Sequence, residues 1–313
     1  MKTITFSVLT LFAYAFFPVY FTPNPATEEK PPYITKEFTL TENGDLNVKT
    51  SGGSITVLGQ SGNNVKVQMF VKKSGRWFDN DEEIKEALEN YDISIKKEGN
   101  TVIAKAERSG SDSWFSSNNV SISFKVYVPT KINTDLKTSG GSITLSKVIG
   151  NQNVETSGGS LTLHSIRGNM EAHTSGGRID VKNYKGNLNA HTSGGSIDVF
   201  EAKGVVKVNT SGGSINLNEV YGSINASTSG GSIDANIKEL GKFVELHTSG
   251  GSITATVPAG IGLDLDLHGN SVNTKLVNFN GESKKDKVVG KVNGGGIPVK
   301  LSTSGGSVNL KYM

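Results

Sequence analysis

The chain contains no cysteine. Disulfides, thiolate metal sites and cysteine nucleophiles are therefore excluded, as is a lipid anchor on a cysteine at an export cleavage point. Aromatic residues make up 7% of the sequence and apolar residues 35%. That scarcity disfavours a bulky core and leaves a thin one built from Ile, Val, Leu and Thr. No long run of one charge occurs. The formal net charge is +3, and "ESKKDK" (Glu282 to Lys287) mixes both signs, as a solvated loop does. Nucleic-acid binding needs a concentrated basic face, so no nucleic-acid partner is expected. Glycine, by contrast, is abundant at 38 residues, but it recurs at fixed intervals, unlike the scatter of a flexible low-complexity chain.

The first residues form a separate unit. Lys2 gives a positive start, Ile4 to Phe21 is apolar and uncharged, and "TPNPATEEKPP" breaks the pattern abruptly. Residues 1–25 read as a signal peptide or an N-terminal anchor, and residues 26–32 as a Pro-rich linker. The stretch 4–21 lacks an Ala-x-Ala cleavage site and is near the lower limit for spanning a bilayer. Membrane attachment through it is the alternative to cleavage. Either way the remainder is exported, to the periplasm, the cell surface or the medium.

Internal repetition dominates the rest of the chain. Ser-Gly-Gly begins at Ser139, Ser157, Ser175, Ser193, Ser211 and Ser229, at a constant spacing of 18 residues; Ser249 comes after 20, and outlying copies begin at Ser51 and Ser304. A second mark lies halfway, at Gly150, Gly168, Gly186, Gly204 and Gly222. Between the marks apolar residues alternate with polar ones. One column runs Ile143, Leu161, Ile179, Ile197, Ile215, Ile233, Ile253, and another Val154, Ala172, Ala190, Val208, Ala226. Period two is the signature of strands with one buried face. The columns between them, such as Thr144, Thr162, Asp180, Asp198, Asn216 and Asn153, Glu171, Asn189, Lys207, Asn225, share no common chemistry and read as solvated exterior.

The expected fold is all-β: a β-solenoid, or β-helix, with 18-residue rungs of two strands each. Each rung stacks on the last at ~4.8 Å, so six strict units give a rod about 30 Å long. The turn residues are the paired glycines Gly140 and Gly141, Gly158 and Gly159, Gly176 and Gly177, Gly194 and Gly195, Gly212 and Gly213, Gly230 and Gly231, and Gly250 and Gly251. Two reasons are expected for them: a corner at φ > 0, and close stacking of identical loops. The preceding threonines (Thr156, Thr174, Thr192, Thr210, Thr228, Thr248) face inward, where their hydroxyls can bond backbone groups along the stack.

Residues 33–130 carry rung-like fragments without the strict period and read as an N-terminal cap with a helix near 79–91. Its acidic first turn favours the positive dipole end, and Ile84, Leu88 and Tyr91 form one stripe. Solenoids need such caps over their open ends. Residues 131–256 form the solenoid, and residues 257–313 an irregular segment and a final rung.

Candidate chemistry is sparse. The Ser-Gly-Gly corners lack the Lys-Ser/Thr and helix of a phosphate loop. "NGGGIP" (Asn293 to Pro298) reads as a turn before a strand rather than an anion nest. "SGGSID" lacks the third glycine of the calcium-binding G-G-x-G-x-D repeat. His173 and His191 fall on adjacent rungs of one outward column, with His247 further along; with Asp180 and Asp198 they are the weak candidates for a metal, and none is expected to hold one. The Asp180–Asp198 pair would suit a carbohydrate-active enzyme, but no neighbouring Arg, Tyr or Trp platform is evident. Trp77 and Trp114 fit cap packing. No Ser-His-Asp order in a strand-turn-helix context occurs. No cofactor and no catalytic residue are expected.

"VYVPTKINTDLKTSGGSI", the tandem "TSGGSI" units alternating with "(I/R/K)GN", and the closing "GKVNGGGIPVKLSTSGGSVNL" resemble a bacterial putative-adhesin family of exported β-strand-repeat proteins, over about residues 33 to 313. The resemblance implies a cell-envelope location and adhesion, and carries over no functional residue. The expected function is a non-catalytic binding scaffold for an envelope glycan or protein. A β-helix carbohydrate-active enzyme and a self-assembling structural protein are the alternatives.

Overall fold

The computed structural model describes residues 31–109 and 120–313. The apolar N-terminal stretch and Trp114 lie outside the described residues. Residues 32–313 form one compact unit.

Inward positions repeat as the alternation requires. In four successive strict rungs the chain runs as one 14-residue β-segment, Leu161–Thr174, Ile179–Thr192, Ile197–Thr210 and Ile215–Thr228, and the rung before them is split into Ile143–Ser146 and Ile149–Thr156. Consecutive segments pair in parallel and in register, Ile179 to Ile197 and Thr192 to Thr210. Each segment is two straight stretches joined by a bend. The bend holds a left-handed residue in every copy: Lys147, Ser165, Asn183, Glu201 and Glu219, with φ between 54° and 60°. Three residues later Gly150, Gly168, Gly186, Gly204 and Gly222 also take positive φ. Between these two points the chain turns one residue inward, producing a further buried column of Val148, Ile166, Tyr184, Ala202 and Val220. Tyr184 is followed by Ala202, so a large side chain is relieved by a small one above it. Its hydroxyl lies 2.7 Å from both the Gly168 and Asn187 carbonyl oxygens and can donate to either. Burial, and secondarily Glu171, raises the phenol's pKa above its ordinary value.

The Ser-Gly-Gly corner departs from expectation in its cause. None of the paired glycines from Gly140 to Gly251 takes a positive φ. The second of each pair is required instead by close approach: a Cβ on Gly195 would overlap the Gly177 carbonyl, and one on Gly213 that of Gly195. The threonines seal this contact. Thr192 Oγ1 donates to Gly177 O at 2.9 Å and accepts from Gly195 N–H at 3.3 Å. The same pair of bonds recurs at Thr156, Thr174, Thr210, Thr228 and Thr248. Thr192→Val keeps the shape but strands a buried carbonyl, so it should cost about 1–3 kcal/mol in chemical unfolding, and Thr192→Ser should recover most of it.

Sequence order and stacking order diverge at both ends. The rung made by Gly44–Thr50 and Ile55–Gln60 is inserted between Thr101–Arg108/Val120–Pro129 below and Ile132–Thr138/Ile143–Ser146 above. Likewise Ile297–Thr303 and Ser307–Tyr312 lie between the Ile233–Thr248/Ile253–Val257 rung and the strands Leu263–His268 and Ser271–Thr274. The closing rung is last in sequence but penultimate in the stack. The 20-residue spacing before Ser249 is absorbed as a bulge at the bend, around Leu240 to Lys242.

Antiparallel strands then close most of the edges. Asn64–Lys73 and Ile34–Thr39 cover one face of the N-terminal end, Tyr91–Glu98 the other, and Lys287–Val292 with Phe279–Ser283 cover one face at the C-terminal end. Their outer edges bear Lys36, Glu37, Lys96, Lys97 and Glu282, which disfavour pairing with another chain. Among the described residues the single helix spans Asp81–Leu88, capped by Asn80 accepting from Glu83 N–H, with Ile84 buried. Trp77 stays partly exposed, tilted against Phe70 with Lys72 Nζ 4.2 Å from its ring centre.

Candidate binding surface

The core consumes every inward position, so any ligand must meet the outward columns. On the stretch after the Ser-Gly-Gly corner, Asp180 and Asp198 do come into register. They are not a free carboxylate pair. Arg178, which replaces the serine found in the other copies, bonds Asp198, and Asn216 Nδ2 donates to the same carboxylate at 2.7 Å. Asp180 lies 3.5 Å from Lys182 Nζ. The expectation that no arginine neighbours this pair is thus corrected: a one-residue change at the corner projects a long side chain diagonally onto the next rung. Phe200, 40% exposed, stands two residues after Asp198 on the same face.

On the return stretch, His173 and His191 stack with ring centres 5.0 Å apart and planes 11° off parallel. Imidazole binds a metal along the nitrogen lone pair in its own ring plane, and two stacked, nearly parallel rings do not aim those lone pairs at one point. His191 Nδ1 is already 3.0 Å from Asn209 Oδ1. Among the described residues no three His, Asp or Glu side chains converge as metal ligands do. "NGGGIP" is a turn over the Asp264 carboxylate, whose partner Lys291 Nζ lies at 4.0 Å; a carboxylate facing the glycines is the wrong charge for an anion nest.

A more ordered surface lies beside the histidine column. Asn133 Nδ2 donates to Asp45 Oδ1 at 3.0 Å, and Asn151 N–H to Asn133 Oδ1 at 2.9 Å. Asn169 continues to Asn151 at 2.9 Å and Asn187 to Asn169 at 3.1 Å. The next column pairs amide with acid: Asn153 with Asp135 at 2.7 Å and Asn189 with Glu171 at 2.6 Å. Each amide in such a ladder uses one donor and one acceptor along the stack and leaves the others to solvent. All of these but Asn187 and Asn189 line a shallow depression of about 570 Å³ that also contains Asn47 and Thr101. Beneath it Gln152 is buried but satisfied, donating to Ile132 O at 2.8 Å and accepting from Thr134 at 2.7 Å. Sequence reasoning misses the ladder because its asparagines come directly after the bend glycines and look like punctuation. The recurring Asn of "IGN", "RGN" and "KGN" is the signal that could have revealed it.

A parallel β-solenoid with hydrogen-bonded amide and acid ladders on an outward face is the class of protein defined by this fold and surface. The chain belongs to the Toastrack DUF4097 family, which matches it over residues 33–311. No curated protein matches it. It is similar to the structure of a putative adhesin from Bacteroides fragilis NCTC 9343, at 14% identity over 88% of this chain and 96% of that one, with a TM-score of 0.42. A putative lipid binding protein from Parabacteroides distasonis ATCC 8503 is similar at 15% identity, 88% and 96% coverage and a TM-score of 0.42. A putative adhesin from Parabacteroides merdae ATCC 43184 matches at 11% identity, 88% and 95% coverage and a TM-score of 0.29. Among the described residues no helix is long and apolar enough to cross a membrane.

Proposed function

We propose that this chain is an exported, non-catalytic binding scaffold of the cell envelope whose amide and acid ladder contacts an uncharged glycan or the polar surface of a protein. The observation that supports it is the depression from Asp45 to Glu171, where side-chain amides present free donors and acceptors in register. Rigid arrays of this kind bind by matching hydroxyls, at little entropic cost to the protein. Its carboxylates are spent on neighbouring amides, and no aromatic residue lines it, which weighs against the carbohydrate-active enzyme. The antiparallel, charged end strands weigh against self-assembly.

The test is a screen of the purified protein against envelope glycans and envelope protein fractions by calorimetry. Saturable binding is expected, weakened at least about tenfold by Asn151→Ala with Asn169→Ala, a loss of about 1.4 kcal/mol. No saturable binding to any of them would overturn the reading, and cleavage of a screened glycan would restore the enzyme.

A further inference from the structure

The bend between the two stretches of each rung forms an edge of its own, and its outward row differs from every other. In register along the stack stand Lys131, Ile149, Arg167, Lys185, Lys203 and Tyr221. Lys147 flanks this row from the left-handed position of its bend. At ~4.8 Å per rung, Lys131 to Lys203 spans about 19 Å. All five cations are exposed, and among the described residues none has an ion-pair partner. Glu201 borders the row and Glu239 ends it, but neither is paired to it.

Elsewhere like charges that meet in register carry counter-ions: Asp180 and Asp198 have Lys182 and Arg178, and Lys49, Lys105 and Lys137 have Glu107, Asp92 and Asp135. The outward column beyond the asparagine ladder reads Asp135, Asn153, Glu171, Asn189, Lys207, Asn225, Glu245, with no two equal charges adjacent. Like charges directly opposite each other on paired strands are destabilising, so Arg167, Lys185 and Lys203 in succession carry a cost. A chain of net charge +3 has no general excess of cations to explain it. The row also overlooks a concave depression of about 640 Å³, lined by hydroxyls and amides from Thr130, Ser165 and Asn183 and flanked by Ile149 and Tyr221.

We propose that this edge binds a linear acidic polysaccharide, laid along the solenoid axis. Its carboxylates or sulfates would meet the cation row, its hydroxyls Thr130, Ser165 and Asn183, and its sugar faces Ile149 and Tyr221. A single file of charges beside a concave trough suits a strand-like polyanion. A membrane surface presents a plane, and a nucleic acid would use several stacking aromatics where this row has one. The edge adjoins the amide ladder, two residues away on the same strands, but the two depressions share no lining residue, and the proposal stands without the ladder.

The experiment uses the exported protein with four probes: polygalacturonate, neutral dextran, phosphatidylglycerol–phosphatidylcholine vesicles and a single-stranded oligonucleotide. Saturable binding to polygalacturonate, weakening with salt, is expected, with none to dextran. Arg167→Gln, Lys185→Gln and Lys203→Gln together should weaken it about a hundredfold while the melting temperature holds or rises. Asn151→Ala with Asn169→Ala should leave it unchanged, which separates this site from the ladder. Absence of polygalacturonate binding, insensitivity to the triple change, or tighter binding to vesicles or oligonucleotide would each overturn the proposal.

Discussion

Gly195→Ala is expected to destabilise the protein by about 3 kcal/mol or more, while Gly194→Ala, one residue earlier, costs under about 1 kcal/mol. The two glycines share a corner and neither has a left-handed φ, so backbone preference does not separate them. Space does. A Cβ on Gly194 meets its nearest neighbour, Ser175 O, at 3.6 Å, an ordinary contact, whereas one on Gly195 penetrates the Gly177 carbonyl. The obstacle is backbone held by the Thr192 hydroxyl, which cannot swing away as a side chain could. Relief requires the two rungs to separate locally, breaking the Thr192 bonds and parting Ile197 from Ile179. Urea unfolding of the two single variants checks this. Equal losses would mean that the corner gives more freely than its packing implies.

That asymmetry marks how far the sequence can be read. The alternation from Ile143 to Leu145 and from Gln152 to Thr156 is legible because a strand places every second residue on one face, and the threonine bonds come from that parity. The bend is not. Its left-handed residue is Lys, Ser, Asn or Glu, without a shared chemistry, and it shifts parity so that inward positions fall at Leu145, Val148 and Gln152. Unequal steps of three and four hide the Val148–Tyr184–Val220 column from any period-two reading. The glycine columns are legible, but the reason for them is not: positive φ belongs to Gly186 and its equivalents, close approach to Gly195 and its equivalents. The ladder and the cation row are present in the sequence as letters. Their meaning comes only when rungs are stacked, since Arg167 and Lys185 are 18 residues apart in sequence and adjacent in space. Rung order is degenerate, because "TSGGSI" at Thr50 and at Thr138 can pair equally well with any neighbour. Only the caps decide it.

Those caps give the second large effect. Ending the chain after Gly296 should abolish the single cooperative unfolding transition, whereas deleting residues 179–196 from the middle should preserve it at reduced stability. The internal deletion joins Arg178 to Ile197, so Leu161 gains Ile197 in place of Ile179 and every column keeps its chemistry. A repeat stack loses one unit and one interface and closes again. The C-terminal rung has no such substitute. It is the layer between Ile253–Val257 and Ser271–Thr274, and on the other face between Ile233–Thr248 and Leu263–His268. Removing it strips Val299, Leu301, Val308 and Leu310, all buried, at about 1.5–3 kcal/mol each. The sum, roughly 6–12 kcal/mol, equals the whole stability of an ordinary domain, about 5–15 kcal/mol. It also bares parallel strand edges on both sides of the gap, with the cap of Leu263–His268 and Lys287–Val292 detached from the stack it covers. Circular dichroism melting with limited proteolysis distinguishes the two deletions. A truncated chain that melts cooperatively at the full-length temperature would show that the cap can re-dock on Val244 and Ile253, and that the inserted rung is an addition to the stack rather than its keystone.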